Sequence, residues 1–355
     1  MTSERKSTAL PKSPRMIDVA RLADVSHQTV SRVLNDSPLV SPELRERVSS
    51  AIRLLGYKRN RAARTLVTRR TMNLGVVCFG ISQFGPSTTL HGMAETAHEA
   101  GYATSLVTVD NTDRESVLAT LEHLEAIGVD GIAVIAPVKG AMDAVVGFSE
   151  KLPLIAFEPG AEHGAASVSV DEVLGARIAT RYLLGLGHET VWHVSGPSGW
   201  LGTDARIRGW REELSAQGRV AEEPIAGDWS AASGQAIGAS LARNRNVTAI
   251  YVANDQMALG VIQALEEGGR RVPQDVSVVG FDDIPEAAYF RPPLTTVRLD
   301  FAAVGRLCIS QLLKLIAGEA SDPVALVPPE LRVRSSAAPP SKAIVPNPLR
   351  EKAPQ

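Results

Sequence analysis

Met16-Ile-Asp-Val-Ala-Arg-Leu-Ala-Asp-Val-Ser-His-Gln-Thr-Val-Ser-Arg-Val-Leu-Asn35 is the stretch from which the rest of the chain can be read. Val19, Ala20, Leu22 and Ala23 recur at helical spacing and predict one short buried face, and Val30, Val33 and Leu34 predict a second. Between them, Ala23-Asp24-Val25-Ser26 supplies a turn that ends in a serine able to cap the following helix. Two short helices joined in this way form a helix-turn-helix. With Val30, Val33 and Leu34 inward, His27, Gln28, Ser31 and Arg32 fall on or near the outward side. Gln can pair with adenine edges and Arg with guanine, while the Ser26 and Thr29 hydroxyls and the helix N-terminus suit phosphate oxygens. The competing reading is an ordinary helical pair with a solvated polar face, because patterns this short match by chance.

The next residues favour the first reading. Ser41 as N-cap and Pro42 at the first helical position start a third helix, in which Leu44, Val48, Ala51, Ile52 and Leu55 repeat at helical spacing before Gly56 stops it. Tyr57 to Val67 follows as a basic segment with too few apolar residues to form a helix alone, and is expected to order only with a partner.

Asp18-Val-Ala20, Val25-Ser-His-Gln-Thr-Val-Ser-Arg-Val-Leu-Asn35, Val40-Ser41, Leu55-Gly-Tyr57 and Asn60-Arg-Ala-Ala-Arg-Thr-Leu66 resemble, without a gap, the DNA-binding headpiece of the lactose-repressor (LacI/GalR) family. The resemblance implies that Asn35, Asn60, Arg64 and Leu66 join Ser26, His27, Gln28, Thr29, Ser31 and Arg32 at the DNA. It makes the segment from Asn60 a hinge that becomes helical when two subunits sit on an operator, with Leu66 at the wedge position that pries open a base step from the minor groove.

Composition agrees with a nucleic-acid partner. Residues 1–70 carry 15 Lys and Arg against 6 Asp and Glu, a charge of +9, while the remainder carries 22 against 33, a charge of −11. At 355 residues and 44% hydrophobic the chain can bury more than one core. Cys78 and Cys308 have no paired spacing, so neither a disulfide framework nor a metal site is predicted, and no cofactor is expected. The first residues lack an apolar signal segment and no run of about 18 apolar residues occurs, which points to the cytoplasm, with no membrane partner.

From Asn73 onward, short apolar runs alternate with amphipathic stretches, the pattern of a parallel α/β sheet. Strands are predicted at 74–79, 103–109, 131–135 and 154–157, with helices at 91–100 and 116–127. The pattern restarts with strands at 191–195, 249–253 and 276–280 and helices at 175–185, 205–217, 233–242 and 256–267, followed by a long helix at 301–316. The expected organisation is a disordered basic arm (1–15), the helix-turn-helix (16–58), a hinge (59–71), a two-lobed core (72–336) and a disordered tail (337–355). The first lobe takes about 72–169 and 299–327, the second about 170–298 and 328–336. Two parallel-sheet lobes place a ligand cleft at the carboxyl ends of their strands.

Ala253-Asn-Asp-Gln-Met-Ala-Leu-Gly260, Pro273 to Ile284 and Arg291-Pro-Pro-Leu-Thr-Thr-Val297 resemble the effector-binding core of the same family, similar in fold to periplasmic sugar-binding proteins. The resemblance implies that Arg206, Asn254, Asp282, Trp229, Phe301 and Glu158 meet the effector. Carboxylates, an amide and a guanidinium bond vicinal hydroxyls in forks and an indole covers the apolar face of a pyranose, which favours a sugar. Each assignment has a plainer reading: Trp229 as lobe packing, Arg206 paired with Asp204, Asp282 as a loop cap and Phe301 as core. Phe79 to Pro86 and Ile135-Ala136-Pro137 depart from the lactose repressor, which leaves the sugar open. The function implied is a dimeric repressor of a palindromic operator under sugar control. The alternatives are a purine- or other metabolite-responsive repressor, or a ligand-binding module whose headpiece has no operator function.

An enzyme is disfavoured. Ser195-Gly-Pro-Ser-Gly199 is not a nucleophile elbow, His188 and His193 are spaced one residue too far apart for the helical zinc motif, and no GK[ST] phosphate loop exists.

Overall fold

A computed structural model describes residues 14–34, 36–57, 70–109, 113–135, 138–157, 166–320 and 324–341. Two compact units meet at the Thr71–Met72 junction. Asn35, Asn60, Arg64, Leu66 and Glu158 lie outside the described residues, as does most of the expected hinge.

The first unit holds α1 (Met16–Leu22), α2 (His27–Leu34) and α3 (Pro42–Leu55). Ser41 Oγ accepts the Leu44 N–H at 3.4 Å, with Pro42 next to it, so α3 starts as the sequence dictates. At its other end Gly56 takes φ 61°, and the Tyr57 N–H turns back onto the Ile52 carbonyl at 3.1 Å. Val19, Ala20, Ala23, Val30, Val33, Val48 and Ala51 make the core. Two assignments change. Leu22, expected inside, is 50% exposed, and Tyr57, placed in the basic segment, is buried at 9%. Arg47 reaches from α3 to donate to the Ala23 carbonyl at 2.7 Å, which holds the α1–α2 turn.

The second unit contains two six-stranded sheets. In chain order its elements begin β1 (Asn73–Phe79), α4 (Phe84–Glu99), β2 (Ala103–Val109), α5 (Arg114–Ala126), β3 (Gly131–Ile135), α6 (Lys139–Phe148), β4 (Leu154–Phe157) and β5 (Ser167–Val170). They continue with α7 (Glu172–Gly185), β6 (Trp192–Ser195), α8 (Leu201–Ala216), β7 (Ile225–Ala226), α9 (Ala231–Arg243), β8 (Ala249–Val252), α10 (Asp255–Glu267) and β9 (Ser277–Asp282). A 3₁₀ turn (Pro285–Tyr289), β10 (Thr295–Arg298), α11 (Phe301–Ala317), β11 (Val324–Val327) and β12 (Glu330–Arg332) complete it. The first sheet runs β11-β5-β4-β3-β1-β2, all parallel, and the second β12-β10-β9-β8-β6-β7, parallel except at β12. The chain therefore crosses between sheets three times, after β5, after β10 and after β11, and α11 returns to pack on α4.

The central strands β1, β3, β4, β8 and β9 are buried on both faces, as parallel strands under helices must be. α4 starts at Phe84, seven residues before the predicted His91, because Pro86 sits in the first turn, where a missing N–H costs nothing. The short strands β5, β7, β10, β11 and β12 and the helix α6 carry too little periodicity to be read in advance. Ala338, placed by the sequence in a disordered tail, is ordered: its N–H donates to Ser277 Oγ at 3.0 Å and its carbonyl lies 3.1 Å from His188 Nε2.

Candidate functional site

A cleft opens where the carboxyl ends of β4, β8 and β9 meet the starts of α4, α8, α10 and α11. Arg206, Trp229, Asn254, Asp282 and Phe301 all line it. Five residues scattered over nearly a hundred positions are thus brought together.

Arg206 is 6% exposed and projects from α8 into the cleft. Its Nε donates to Glu172 Oε2 at 2.8 Å and its Nη2 to Glu172 Oε1 and Asp282 Oδ1, both at 3.3 Å, while Nη1 donates to the Ala253 carbonyl. The predicted partner, Asp204, is replaced by these two carboxylates from distant parts of the chain. The guanidinium also lies 4.1 Å over the Phe281 ring and 5.6 Å from the Trp229 ring centre. Burial alone would lower its pKa, but Glu172 and Asp282 outweigh that and hold it above its ordinary value.

Asp282 is 7% exposed and ends β9 at φ 98°, a left-handed conformation costly for a residue with a Cβ. Burial pushes its carboxyl up to about 6 against the pull of Arg206, with Glu172 adding to the rise. Asn254 caps α10, its Oδ1 accepting the Met257 N–H at 2.9 Å, and its Nδ2 donates to the Trp229 carbonyl at 3.0 Å. One of its two amide N–H donors is therefore spent on holding Trp229, which sits at φ 73°. A Cβ at Gly196 would run into the Trp229 ring, so that glycine is what lets the indole lie there. Trp229 Nε1 is buried without a hydrogen-bond partner, as is Gln256 Oε1 on the same cavity. Phe301 meets Phe84 and Phe157 edge-on, at 6.1 and 6.3 Å, and is both core and cleft wall.

Sequence reasoning passed over Glu172, Gln83, Phe84, Trp200 and Gln256, all on this cavity. Trp200 stands edge-on to Trp229 at 5.7 Å. Glu172 is the most consequential omission. As an acid in the first turn of α7 it looks like a solvated helix-dipole partner, yet it is 2% exposed.

The histidines of His188-Glu-Thr-Val-Trp-His193 have separate structural duties. His188 bridges Thr248, Ser277 and Ala338. His193 is stacked on Tyr251 at 4.5 Å and beside Trp210, and burial drives its pKa down to about 3. Among the described residues no group of His, Cys, Asp and Glu is arranged to hold a metal ion, and no helix is long and apolar enough to cross a membrane.

In the first unit, Ser26 Oγ accepts the Thr29 N–H at 3.1 Å and lies 2.9 Å from its hydroxyl, so the two fix the start of α2. His27, Gln28 and Arg32 are exposed, Thr29 and Ser31 half-buried. Among the described residues, no hydrogen bond or ion pair engages the side chain of Gln28 or Arg32, whereas those of Arg45, Arg47 and Arg53 on α3 are all engaged. A free donor set on one short helix is what a groove requires.

Two family models match the chain: "Bacterial regulatory proteins, lacI family" over residues 15–60 and "Periplasmic binding protein-like domain" over residues 180–337. The lactose operon repressor of Escherichia coli K12 is 33% identical over 335 residues, covering 93% of this chain and 92% of that one. A crystal structure of the lac repressor dimer bound to operator and the anti-inducer ONPF is similar with a TM-score of 0.84 at 30% identity, over 92% of this chain and all of that one. A complex of the transcriptional regulator CelR with cellobiose is similar with a TM-score of 0.68 at 30% identity, over 91% of this chain and all of that one.

Proposed function

The chain belongs to the lacI family of bacterial regulatory proteins, and from that membership we propose that it is a dimeric, sequence-specific repressor whose grip on a palindromic operator is set by a small sugar in the cleft. The observation that carries the reading is the union, in one chain, of an unengaged polar helix α2 with a cleft of aromatic rings and charged forks. The reading is supported by the solved relatives, a lac repressor dimer bound to operator and the anti-inducer ONPF and a complex of CelR with cellobiose. We assign Ser26, His27, Gln28, Thr29, Ser31 and Arg32, with Asn35, Asn60, Arg64 and Leu66, to the DNA, and Arg206, Trp229, Asn254, Asp282 and Phe301, with Glu158, to the effector. The 16–58 headpiece, 59–71 hinge and 72–336 core are the corresponding divisions of labour. Binding and release, not catalysis, is the activity, exercised in the cytoplasm where the DNA lies; the relatives are regulators, in keeping with this.

The mechanism is a population shift. Sugar favours one arrangement of the two lobes and operator the other, so each weakens the other by the same factor, typically ~1–3 kcal/mol. A two-fold dimer imposes two-fold symmetry on its site. Selecting fragments from random DNA with the purified protein, then releasing them with sugars, tests the whole; failure to discriminate the best fragment from random DNA at physiological salt refutes it.

For the DNA, Gln28→Ala and Arg32→Ala are each expected to cost about 1–3 kcal/mol on the selected operator and far less on random DNA. Gel shifts across single-base operator variants check this, and equal losses on every sequence would reassign the residues to phosphates.

For the cleft, hydroxyls donate best to an ionised Asp282. Sugar affinity is therefore expected to fall as pH drops through about 6, approaching roughly tenfold per unit below it. Stability takes the opposite sign. Because the folded pKa is raised, the Asp282 contribution is fully present below about 3.9 and is lost as pH rises through about 6. Calorimetric titration at pH 7.5, 6 and 5 measures the first, with Asp282→Asn expected to give a flat profile; a sloping one would move the titration elsewhere.

A further inference from the structure

The charged groups on the cleft wall, among the described residues that line it, are Glu172, Arg206 and Asp282: two carboxylates against one guanidinium. Of the five N–H groups on Arg206, four are already given to Glu172, Asp282 and the Ala253 carbonyl. Glu172 takes two of them with its two oxygens, and is itself fixed. It is 2% exposed, and a Cβ at Gly202 would stand 2.6 Å from its Oε2, so only a glycine leaves room for the carboxylate.

We propose that Glu172 is a specificity-determining residue which, by occupying the Arg206 guanidinium, confines the effector to sugars that carry no anionic group. The inference rests on the sugar reading above and deepens it. A phosphate or carboxylate entering this cleft would find its natural anchor engaged from both sides, and would lie beside an excess negative charge in a poorly screened interior. An uncharged sugar meets no such penalty. Its hydroxyls donate to the Asp282 carboxylate, Glu172 having given both oxygens to Arg206, while the unpartnered Trp229 Nε1 and Gln256 Oε1 offer one neutral donor and one neutral acceptor on the same wall.

The test uses the full-length protein and a fixed panel: glucose, galactose and cellobiose, each with its 6-phosphate and its uronic acid, titrated calorimetrically. The wild type is expected to bind at least one uncharged member, and the acidic forms of that sugar at least tenfold more weakly. Glu172→Gln should narrow that ratio at least tenfold while moving the uncharged sugar's affinity less than threefold, and Glu172→Asp should keep the ratio. A merely structural role would weaken all members together. Should Glu172→Gln not melt cooperatively, Glu172→Ala, which removes the charge without burying an amide, is read the same way. Acidic forms bound by the wild type as tightly as the uncharged ones, or a ratio untouched by removing the Glu172 charge, overturn the inference and leave the sugar reading standing. No binding by any member brings down the sugar reading, and this inference with it.

Discussion

Arg206→Ala should abolish the response of operator binding to sugar while leaving operator affinity itself unchanged, and should cost the fold about 3–5 kcal/mol. The functional loss follows from position: the guanidinium lies in the cleft against the faces of Trp229 and Phe281, so its removal disconnects the ligand from β9 and α8 together. The stability loss follows from what remains, two buried carboxylates facing each other with no countercharge. Asp282, already pushed up by burial, would then titrate higher still in the folded state than in the unfolded one. The folded variant would hold a proton at neutral pH that the unfolded chain has released, so its stability should recover as pH falls toward the ordinary carboxylate range. Urea midpoints at pH 7.5 and 5 provide the check, with the deficit against wild type smaller at pH 5. An equal deficit at both values would mean that Arg206 is not the countercharge of Glu172 and Asp282, and a normal sugar response in operator gel shifts that it does not meet the ligand.

The route by which Arg206 could and could not be read from sequence illustrates what local pattern carries. The residue itself was legible only through the family resemblance of Arg206-Ile-Arg-Gly-Trp210, and the partner of the plainer reading, Asp204, is two positions away on a helix, where residues do not face each other. Its real partners are 34 and 76 residues away, and only the packing of α7 against α8 and β9 within the second lobe brings them near. Glu172 was hidden for a related reason, since an acid at a helix start needs no further explanation from sequence. In the headpiece the caps at Ser26, Ser41 and Gly56 were fully legible because capping is a local affair of a side chain and the nearest backbone. Leu22 was not, because α1 has only seven residues and its packed side is chosen by α2 and α3 together, not by its own pattern. The same holds for Phe84: a proline two positions later reads as a helix breaker until it is seen to occupy the first turn. Aromatics were legible as residue types but not as a wall, since Trp229 depends on Gly196 and Trp200 on its own glycine, Gly80, which has φ 61° and faces the indole edge.

Asp255→Ala is expected to lose about 2–6 kcal/mol of stability and most of the sugar affinity, although Asp255 does not line the cleft. Asp255 is fully buried at the first position of α10. Its Oδ2 accepts the Ile284 N–H at 2.9 Å and its Oδ1 the Thr296 hydroxyl at 2.6 Å, which ties the end of β9 to β10. Immediately before Ile284 stand Asp282 at φ 98° and Asp283 at φ 54°, a left-handed pair whose strain must be balanced by the surrounding bonds. Arg334 supplies one such bond, 2.6 Å from Asp283, Arg206 another to Asp282, and Asp255 two more. Alanine leaves two buried donors without acceptors, each costing roughly 1–3 kcal/mol, and frees the segment that presents Asp282 to the sugar. Asparagine separates charge from hydrogen bonding. Burial already holds the Asp255 carboxyl well above the usual carboxylate range, so an amide that accepts from Ile284 and donates to Thr296 should keep stability within about 1 kcal/mol of wild type and restore sugar binding. Urea unfolding and calorimetric titration of both variants decide it. If asparagine proves as damaging as alanine, the ionised carboxylate is what the loop requires; if alanine binds sugar normally, Asp282 is held in place by Arg334 and β9 alone.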